Sequence, residues 1–367
     1  MVLSFQIKRR QVDKFDLGWS DIWNQYDDAY QAGLLVRIIA KHKGGYKGRS
    51  STRDVNCYLS GKMKFVSSSS DLPAVGDFCI TSESFVDETS DSAVIIEELL
   101  PRKSKISRIT SGTRSTEQVL VANIDYSFIV TSANKDLSIN RIERYRYLSV
   151  SGNATPVIVV SKSDLPGIES IERRLKEAFP DVTIITTSAF DGRGLEEIRN
   201  LLSPGKTGVF LGSSGVGKSS LINALLGEDI QAVRTIREND DTGRHATTGT
   251  SLFFIENGGM IIDTAGLREL QVFGDSEQLD DVFSDVVNLS LKCRFSDCTH
   301  SAEPGCAILA AVESGELEKR KFENFLKLKK EVDYSKAKLD KQASSNSKKR
   351  WRNISKVIKK KYKNKGE

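Results

Sequence analysis

The sequence lacks the features of a membrane-spanning or secreted chain. No apolar run approaches the roughly 18 residues that a membrane-spanning helix needs. Only 5 of the 367 residues are cysteine, which is too few for a disulfide framework. The first ten residues place a short apolar run before their charges, the reverse of a secretory signal. We therefore expect a cytoplasmic protein with no membrane partner.

The composition excludes further classes and locates the charge. Apolar residues make up 38% and charged residues 28% of the chain, so collagen-like and fully disordered chains are excluded. The length suggests two or three domains. The formal net charge is +5, but residues 341–367 hold 11 of the 54 Lys and Arg residues and one of the 49 acidic residues. The positive charge therefore belongs to a tail and not to the body of the protein.

Changes in composition predict five regions. Residues 1–30 are aromatic and acidic, and we interpret them as an N-terminal appendage. Residues 31–112 hold short β-rich runs, typical of a small barrel of the oligonucleotide-binding kind (OB-fold), although another small β domain has the same spacing. Residues 113–274 alternate strands and helices, and residues 275–340 are helical. The tail, residues 341–367, interleaves basic and aromatic residues, which suits RNA as well as it suits a solvated disordered segment.

Alternating strands and helices in residues 113–274 predict a doubly wound α/β sheet. The predicted buried strands are Val119–Ala122, Phe128–Val130, Val157–Val160, Val182–Ile185, Val209–Leu211 and Met260–Ile262. The predicted helices include Ile168–Phe179 and Leu195–Leu202, and a further helix is predicted over Ala307–Val332.

A phosphate-binding loop lies between a predicted strand and a predicted helix. Gly212–Ser219 fits the pattern G-x-x-x-x-G-K-S, in which glycines let backbone N–H groups surround phosphate oxygens at a helix N-terminus. Lys218 is expected to reach the β and γ phosphates, and Ser219 to hold Mg²⁺. The alternative is a plain glycine turn. The predicted nucleotide contacts here are Gly212, Ser213, Ser214, Gly215, Val216, Gly217, Lys218, Ser219 and Ser220.

A second segment predicts which base is bound. Ser161, Lys162, Ser163 and Asp164 follow the strand Val157–Val160, where GTPases carry Asn-Lys-x-Asp. The aspartate accepts hydrogen bonds from guanine N1–H and the exocyclic amine, which adenine cannot supply. Ser161 replaces the usual Asn, which weakens the match and leaves an ATPase open.

Ser188 and Ala189 follow the next strand and are expected to present a backbone N–H to guanine O6.

The last motif is Asp263-Thr-Ala-Gly266. Asp263 is expected to hold Mg²⁺ through water, and the Gly266 N–H to contact the γ-phosphate. Thr247 and Thr248 are the candidates for the Mg²⁺ ligand of a first switch loop.

These motifs stand in a rotated order. The base-reading segments precede the phosphate loop, whereas an ordinary small GTPase has the loop first. The rotated order and the segment Gly243-Arg-His245-Ala-Thr-Thr248 resemble the RsgA family (also called YjeQ) of ribosome small-subunit-dependent GTPases over almost the whole chain.

The resemblance implies an OB-fold barrel, a circularly permuted GTPase domain and a zinc-bearing end. It implies binding to the small ribosomal subunit and its rRNA, and hydrolysis of GTP to GDP during late subunit maturation. We expect a monomer. The alternative is a guanine-nucleotide-gated rRNA-binding module whose hydrolysis is incidental.

The catalytic group is not obvious from the motifs. Many GTPases place a water-orienting Gln after D-x-x-G, but Leu267 stands there, and an apolar side chain cannot orient water. His245 is our candidate, with Lys218 and Thr248 on the phosphate side. Arg244 is the alternative catalytic group, and the alternative interpretation of His245 is a surface loop histidine without a role.

Three cysteines and a histidine predict a metal site. Cys293, Cys298, His300 and Cys306 lie within 14 residues, and three thiolates with one imidazole suit a closed, structural, tetrahedral Zn²⁺ site. Chance clustering is the alternative. The resemblance assigns zinc to the same four residues. Cys57 and Cys79 lie in β-rich runs and are predicted to be buried apolar fillers.

Overall fold

The computed structural model describes residues 13–42, 44–66, 69–82, 93–110, 116–132, 137–227, 249–264 and 274–339. Its chain divides into two compact units, Met1–Ser107 with Val119–Leu270 and Arg108–Gln118 with Gln271–Glu367. No helix in these described ranges is long and apolar enough to cross a membrane.

The first unit begins with a closed five-stranded barrel. Its strands are β1 (Leu35–His42), β2 (Gly45–Arg49), β3 (Asp54–Leu59), β4 (Phe78–Thr81) and β5 (Val94–Leu99). They pair in the order β1-β2-β3-β5-β4, and β4 pairs again with β1. Closure leaves no free sheet edge, and the predicted barrel is confirmed.

The barrel interior is apolar and includes both cysteines of this region. Cys57 and Cys79 are buried, and burial raises the pKa of the Cys57 thiol to about 12. A thiol so far from ionisation is unreactive. Both residues are the apolar fillers that the sequence predicted.

The segment before the barrel packs against it. A 3-10 turn (Asp21–Tyr26) and the short helix α1 (Asp27–Gln31) carry Trp23, which is fully buried. The Trp23 indole N–H donates to the Pro101 carbonyl at 2.6 Å. Leu17, Trp19 and Trp23 form one cluster with Leu35, Phe78 and Leu100. The described part of the predicted appendage is therefore part of a core.

One predicted strand lies elsewhere than expected. Helix α2 (Gly61–Val66) follows β3. Strands β6 (Lys105–Ile109) and β7 (Glu117–Ala122) pair with each other in a separate two-stranded sheet. The run Val119–Ala122 was predicted to be a strand of the α/β sheet, and this prediction is wrong. An apolar run of four residues favours a strand but does not identify its pairing partner.

The α/β sheet of the first unit contains β8 (Tyr126–Ser132), β9 (Thr155–Ser161), β10 (Thr183–Thr186), β11 (Thr207–Leu211), β12 (Thr250–Phe254) and β13 (Met260–Thr264). The order is β10-β9-β8-β11-β13-β12, with the first five strands parallel and β12 antiparallel. Helices α3 (Ile139–Ser151), α4 (Ile168–Ala178), α5 (Leu195–Leu201) and α6 (Lys218–Leu226) connect them. Strands covered on both faces read as continuous apolar runs, which is why five of the six predicted strands are confirmed.

The barrel and the α/β sheet join through β12. Ala40 of β1 pairs with Ser251, so the two sheets are continuous. Beside this junction Arg37 of β1 is fully buried, and its guanidinium donates to the carbonyls of Leu17, Gly76 and Asn123. Burial lowers the pKa of Arg37 to about 10, so the side chain remains charged at neutral pH.

Residues 274–339 of the second unit are mostly helical. Its elements are α7 (Ser276–Val282), α8 (Ser284–Ser290), α9 (Ala307–Ser314) and α10, over residues 319–339. A capping box of Asp275 and Gln278 starts α7. The helical prediction over Ala307–Val332 is confirmed except for a break, because Gly315 adopts a left-handed conformation, φ +81°, and ends α9.

Candidate functional site

The phosphate loop has the backbone that its glycines predict. It joins the end of β11 at Leu211 to the start of α6 at Lys218. Gly212, Gly215 and Gly217 all have positive φ, and a Cβ on Gly212 would lie 2.5 Å from the Val130 carbonyl oxygen. The loop therefore requires glycine at this position, and it ends at the N-terminus of a nine-residue helix.

The Lys218 side chain bonds back to the backbone of this loop. Its ammonium donates to the carbonyl oxygens of Gly212 and Ser213, at 2.8 and 2.5 Å. A phosphate group bound by the loop would compete with these carbonyls for the ammonium. Ser219 and Ser220 occupy the second and third positions of α6, so their N–H groups lie in the unpaired first turn.

Ser161 connects the base-reading segment to the phosphate loop. Its buried hydroxyl lies 3.0 Å from the Thr131 carbonyl oxygen and 2.5 Å from that of Val216. One hydroxyl proton can be donated to only one of them at a time. The residue that departs from the GTPase pattern thus bonds directly to the loop that would hold phosphate.

Lys162 of the same segment also bonds to the phosphate loop. Lys162 has φ +59° and donates from its ammonium to the Gly215 carbonyl at 3.2 Å. Asp164 is exposed at the end of the segment, and Ser163 is buried. The Asp164 carboxylate is therefore open to solvent, while the Lys162 ammonium is bonded to the phosphate loop.

A hydrogen bond joins the loop after β10 to the base-reading segment of residues 161–164. The Ser163 N–H donates to the Thr187 carbonyl at 3.0 Å. The Ser188 hydroxyl accepts from the N–H groups of Phe190 and Asp191, at 3.2 and 3.4 Å. Ser188 is buried and Ala189 is partly buried. The two predicted base-reading segments are therefore brought together.

Two buried hydroxyls in this region have unusual surroundings. The Ser163 and Thr187 hydroxyl oxygens have no hydrogen-bond partner within the part of the chain that the structure describes. Most buried polar atoms in proteins are paired. These two residues are joined by the hydrogen bond between the base-reading segments. A bound ligand or a water molecule would supply the missing partners of the two hydroxyls.

Asp263 lies near the end of β13 and pairs with Ser251 of β12. It is buried, with 8% of its surface exposed. Strands β9, β11 and β13 are parallel, so their carboxyl ends lie at the same end of the sheet. Ser161, the phosphate loop and Asp263 therefore lie at that end. His245, Thr247, Thr248 and Gly266 fall outside the described residues.

The metal ligands predicted from spacing come together in the second unit. The ligand atoms of Cys293, Cys298, His300 and Cys306 all lie within 4.8 Å of one another. The Sγ atoms of Cys293 and Cys306 are 3.9 Å apart, and they lie 3.6 and 3.5 Å from Nδ1 of His300. With Zn–S of about 2.3 Å and Zn–N of about 2.05 Å, a tetrahedron has S···S edges of about 3.8 Å and S···N edges of about 3.6 Å. These three separations fit the edges of a tetrahedral site, and Cys298 would supply its fourth ligand.

Backbone N–H groups favour the anionic form of one of these thiols, Cys293. Burial opposes ionisation of Cys293, but backbone N–H groups of Ala307 and Ile308 bring the pKa of this thiol below its ordinary value. These amides open α9, for which Cys306 is the N-cap. The ligand loop is itself closed by Glu303, which accepts from the N–H groups of Thr299 and Ser301 at 2.8 Å each. The Thr299 hydroxyl also donates to this carboxylate, and together with the backbone N–H groups it lowers the pKa of the Glu303 carboxyl.

Comparison with known proteins identifies the family. The RsgA GTPase family model matches residues 99–273. The curated small ribosomal subunit biogenesis GTPase RsgA of Methanosarcina acetivorans is 36% identical over 94% of this chain and 92% of that protein. The chain belongs to the RsgA GTPase family. RsgA 2 of Lactiplantibacillus plantarum is 39% identical over 82% of this chain and 84% of that protein.

Other comparisons agree on the GTPase fold. The crystal structure of YjeQ from Thermotoga maritima superimposes with a TM-score of 0.58 at 28% identity, covering 80% of this chain and 96% of that one. YloQ, described as a circularly permuted GTPase, has a TM-score of 0.55 at 23% identity, covering 82% of this chain and 94% of that one, and is a likeness of fold. A broader model, 50S ribosome-binding GTPase, matches residues 207–350.

Sequence reasoning missed one residue of this RsgA-family site. Arg193 donates from Nη1 to the Ser163 carbonyl at 3.4 Å, and the Ser188 N–H donates to the Arg193 carbonyl at 3.0 Å. Arg193 thereby fastens the second base-reading loop to the first. Its only signal in the sequence is an arginine between two glycines shortly after Ala189.

Proposed function

We propose that this chain binds the small ribosomal subunit and hydrolyses the β–γ phosphoanhydride of GTP, giving GDP and phosphate, during late maturation of that subunit. The observation that carries the proposal is the contact between Ser161 and Val216. It joins the base-reading segment to the phosphate loop in a chain whose curated relatives are small-subunit biogenesis GTPases over most of its length.

Each site residue has a proposed role in this reaction. Asp164 accepts hydrogen bonds from guanine, with Ser161, Lys162, Ser163, Ser188 and Ala189 around the base and residues 212–220 around the phosphates. Lys218 neutralises charge on the β and γ phosphates. Ser219 and Asp263 hold Mg²⁺, which would screen the same charge when bound.

The remaining roles belong to residues outside the described ranges. We assign Thr247 and Thr248 to Mg²⁺ in the first switch, Gly266 to the γ-phosphate, and His245 to the attacking water. Leu267 follows the last motif, so water activation must come from His245, from Arg244 or from the ribosome.

The second unit is proposed to hold one structural Zn²⁺ on Cys293, Cys298, His300 and Cys306. All four positions of a tetrahedron are filled by protein ligands, so the ion would stabilise the fold rather than activate water. We propose the domain division 1–30, 31–112, 113–274, 275–340 and 341–367, with the barrel and basic tail contacting rRNA. A monomer working in the cytoplasm, where ribosomal subunits mature, suits these roles.

The small subunit is preferred to the large one as partner. The relatives whose names specify the small subunit align with up to 94% of the chain. The family model whose description specifies the 50S subunit matches residues 207–350 only, and its first part coincides with the RsgA match.

The test measures GTP hydrolysis, in single and multiple turnover, with small subunits, with large subunits and without either. We expect small subunits to accelerate hydrolysis and large subunits to have little effect. Lys218→Ala should abolish hydrolysis without unfolding the chain, whereas Lys206→Ala, an exposed lysine before β11, should leave it unchanged. Undiminished turnover in Lys218→Ala would overturn the site assignment.

Co-sedimentation with small subunits separates the two candidate functions. We expect tighter binding with a non-hydrolysable GTP analogue than with GDP, and by linkage the subunit must raise the affinity for the analogue relative to GDP by the same factor. Nucleotide-dependent binding without accelerated hydrolysis would favour the rRNA-binding module. Equal binding in both nucleotide states would reject the switch.

A further inference from the structure

Phe190 is a large apolar side chain on the surface of the second base-reading loop. It follows Ser188 and Ala189 directly, and 92% of its surface is exposed. Its neighbour Ala189 packs against the core of the α/β sheet. Single exposed apolar residues are common on proteins, so the position of Phe190 matters more than its exposure.

The backbone that carries Phe190 is held firmly. The Phe190 N–H donates to the Ser188 hydroxyl at 3.2 Å, and the Gly192 N–H donates to the Ser188 carbonyl at 3.0 Å. The Arg193 carbonyl in turn accepts from the Ser188 N–H. The loop is therefore a closed turn built on a buried serine, and it fixes where the aromatic side chain leaves the backbone.

This turn is attached to the segment that reads the base. The Ser163 N–H and Thr187 carbonyl are bonded at 3.0 Å, and Arg193 reaches the Ser163 carbonyl. Phe190 is three residues from Thr187, and Asp164 follows Ser163. The turn that carries Phe190 and the residue Asp164 therefore both extend from the same bonded pair of segments.

A purine held by its edge still has two faces in contact with water. Lys162 can cover one face with its stem, because its ammonium is fixed on the Gly215 carbonyl. Base-on-aromatic stacking is favourable and tolerant of base identity, since every base has a π-face. We propose that Phe190 determines nucleotide affinity by stacking on a face of the guanine base that Lys162 leaves uncovered. The inference rests on the proposed function and adds a residue to its site.

The experiment measures GDP and IDP affinity for the unaltered chain, F190A, F190W and F65A. Phe65 is a matched control, because it is 95% exposed but lies on the barrel helix α2. F190A should weaken the binding of both nucleotides by the same factor, between about 5-fold and 150-fold. F65A should bind as the unaltered chain does. F190W should keep the affinity, and its added indole fluorescence should change when GDP binds.

Two results would overturn the inference: unchanged GDP affinity in F190A, or an indole in F190W whose emission does not respond to GDP. A loss of affinity for GDP alone, with IDP unaffected, would also reject stacking, because it would indicate contact with the exocyclic amine. If the unaltered chain binds neither GDP nor GTP, the proposed function itself fails, and the inference fails with it.

Discussion

Arg37 of the barrel donates a hydrogen bond of 3.0 Å to the hydroxyl of Thr207. Thr207 is the first residue of β11, the strand that leads into the phosphate loop. A fully buried guanidinium thus joins the barrel to the strand that positions Lys218. Because its other donors bond to three backbone carbonyls and to the Met260 sulfur, Arg37 can be buried while charged.

Replacing Arg37 should cost more stability than replacing a surface arginine. Arg37→Met leaves the carbonyls of Leu17, Gly76 and Asn123 buried without a donor, and we expect the free energy of unfolding to fall by about 3–5 kcal/mol. Arg49→Met removes a partly exposed ion pair with Asp54, worth at most about 1 kcal/mol. Urea denaturation measures both. Equal losses would mean that the buried hydrogen bonds of Arg37 contribute little.

Two serines two residues apart should respond differently to the same change. Ser161→Ala removes a hydroxyl that bonds to the phosphate loop, and we expect it to lower the free energy of unfolding by about 1–2 kcal/mol and to weaken GDP binding. Ser163→Ala removes a buried hydroxyl without a protein partner in the described residues, so stability without nucleotide should be unchanged or slightly higher. Thermal unfolding and GDP titration compare the two variants. The reverse ranking would contradict the connecting role of Ser161.

Asp164 should decide base selectivity. Asp164→Asn replaces an acceptor with a group that can donate, so GTP affinity should fall by at least about 100-fold and xanthosine triphosphate should become the better ligand. Asp181→Asn, an exposed aspartate paired with Arg146, is the control and should keep guanine selectivity. Unchanged GTP affinity in Asp164→Asn would show that this segment does not read the base.

The cluster of Cys293, Cys298, His300 and Cys306 should hold metal. We expect about one zinc per chain by elemental analysis. Cys298→Ser should lose that zinc and make residues 274–339 sensitive to protease while GDP binding persists. Cys57→Ala, a cysteine buried in the barrel, should retain zinc. Acid should release the ion, because the thiolates and imidazole must be deprotonated to bind it. A metal-free preparation that resists protease equally would contradict a structural role.

The sequence by itself determined the parts that depend on local chemistry. The glycine loop, the spacing of the metal ligands and the parallel strands each follow from rules that hold within a few residues: glycine for positive φ, soft ligands for zinc, continuous apolar runs for strands covered on both faces. The rotated motif order was also readable, because it is a property of the chain and not of its packing.

Only the tertiary structure decided which distant residues meet. Val119–Ala122 reads as a strand of the α/β sheet but pairs with β6, and Ser161 reads as a weakened motif but bonds to Val216. Arg37 reads as a charge in a β-rich run, yet it is buried and bonds to residues of five other segments of the chain. A pattern of apolar and polar residues specifies that a side chain is buried or a strand is formed. It does not specify the partner, because hydrogen bonds between residues far apart in sequence depend on the register that the whole fold imposes.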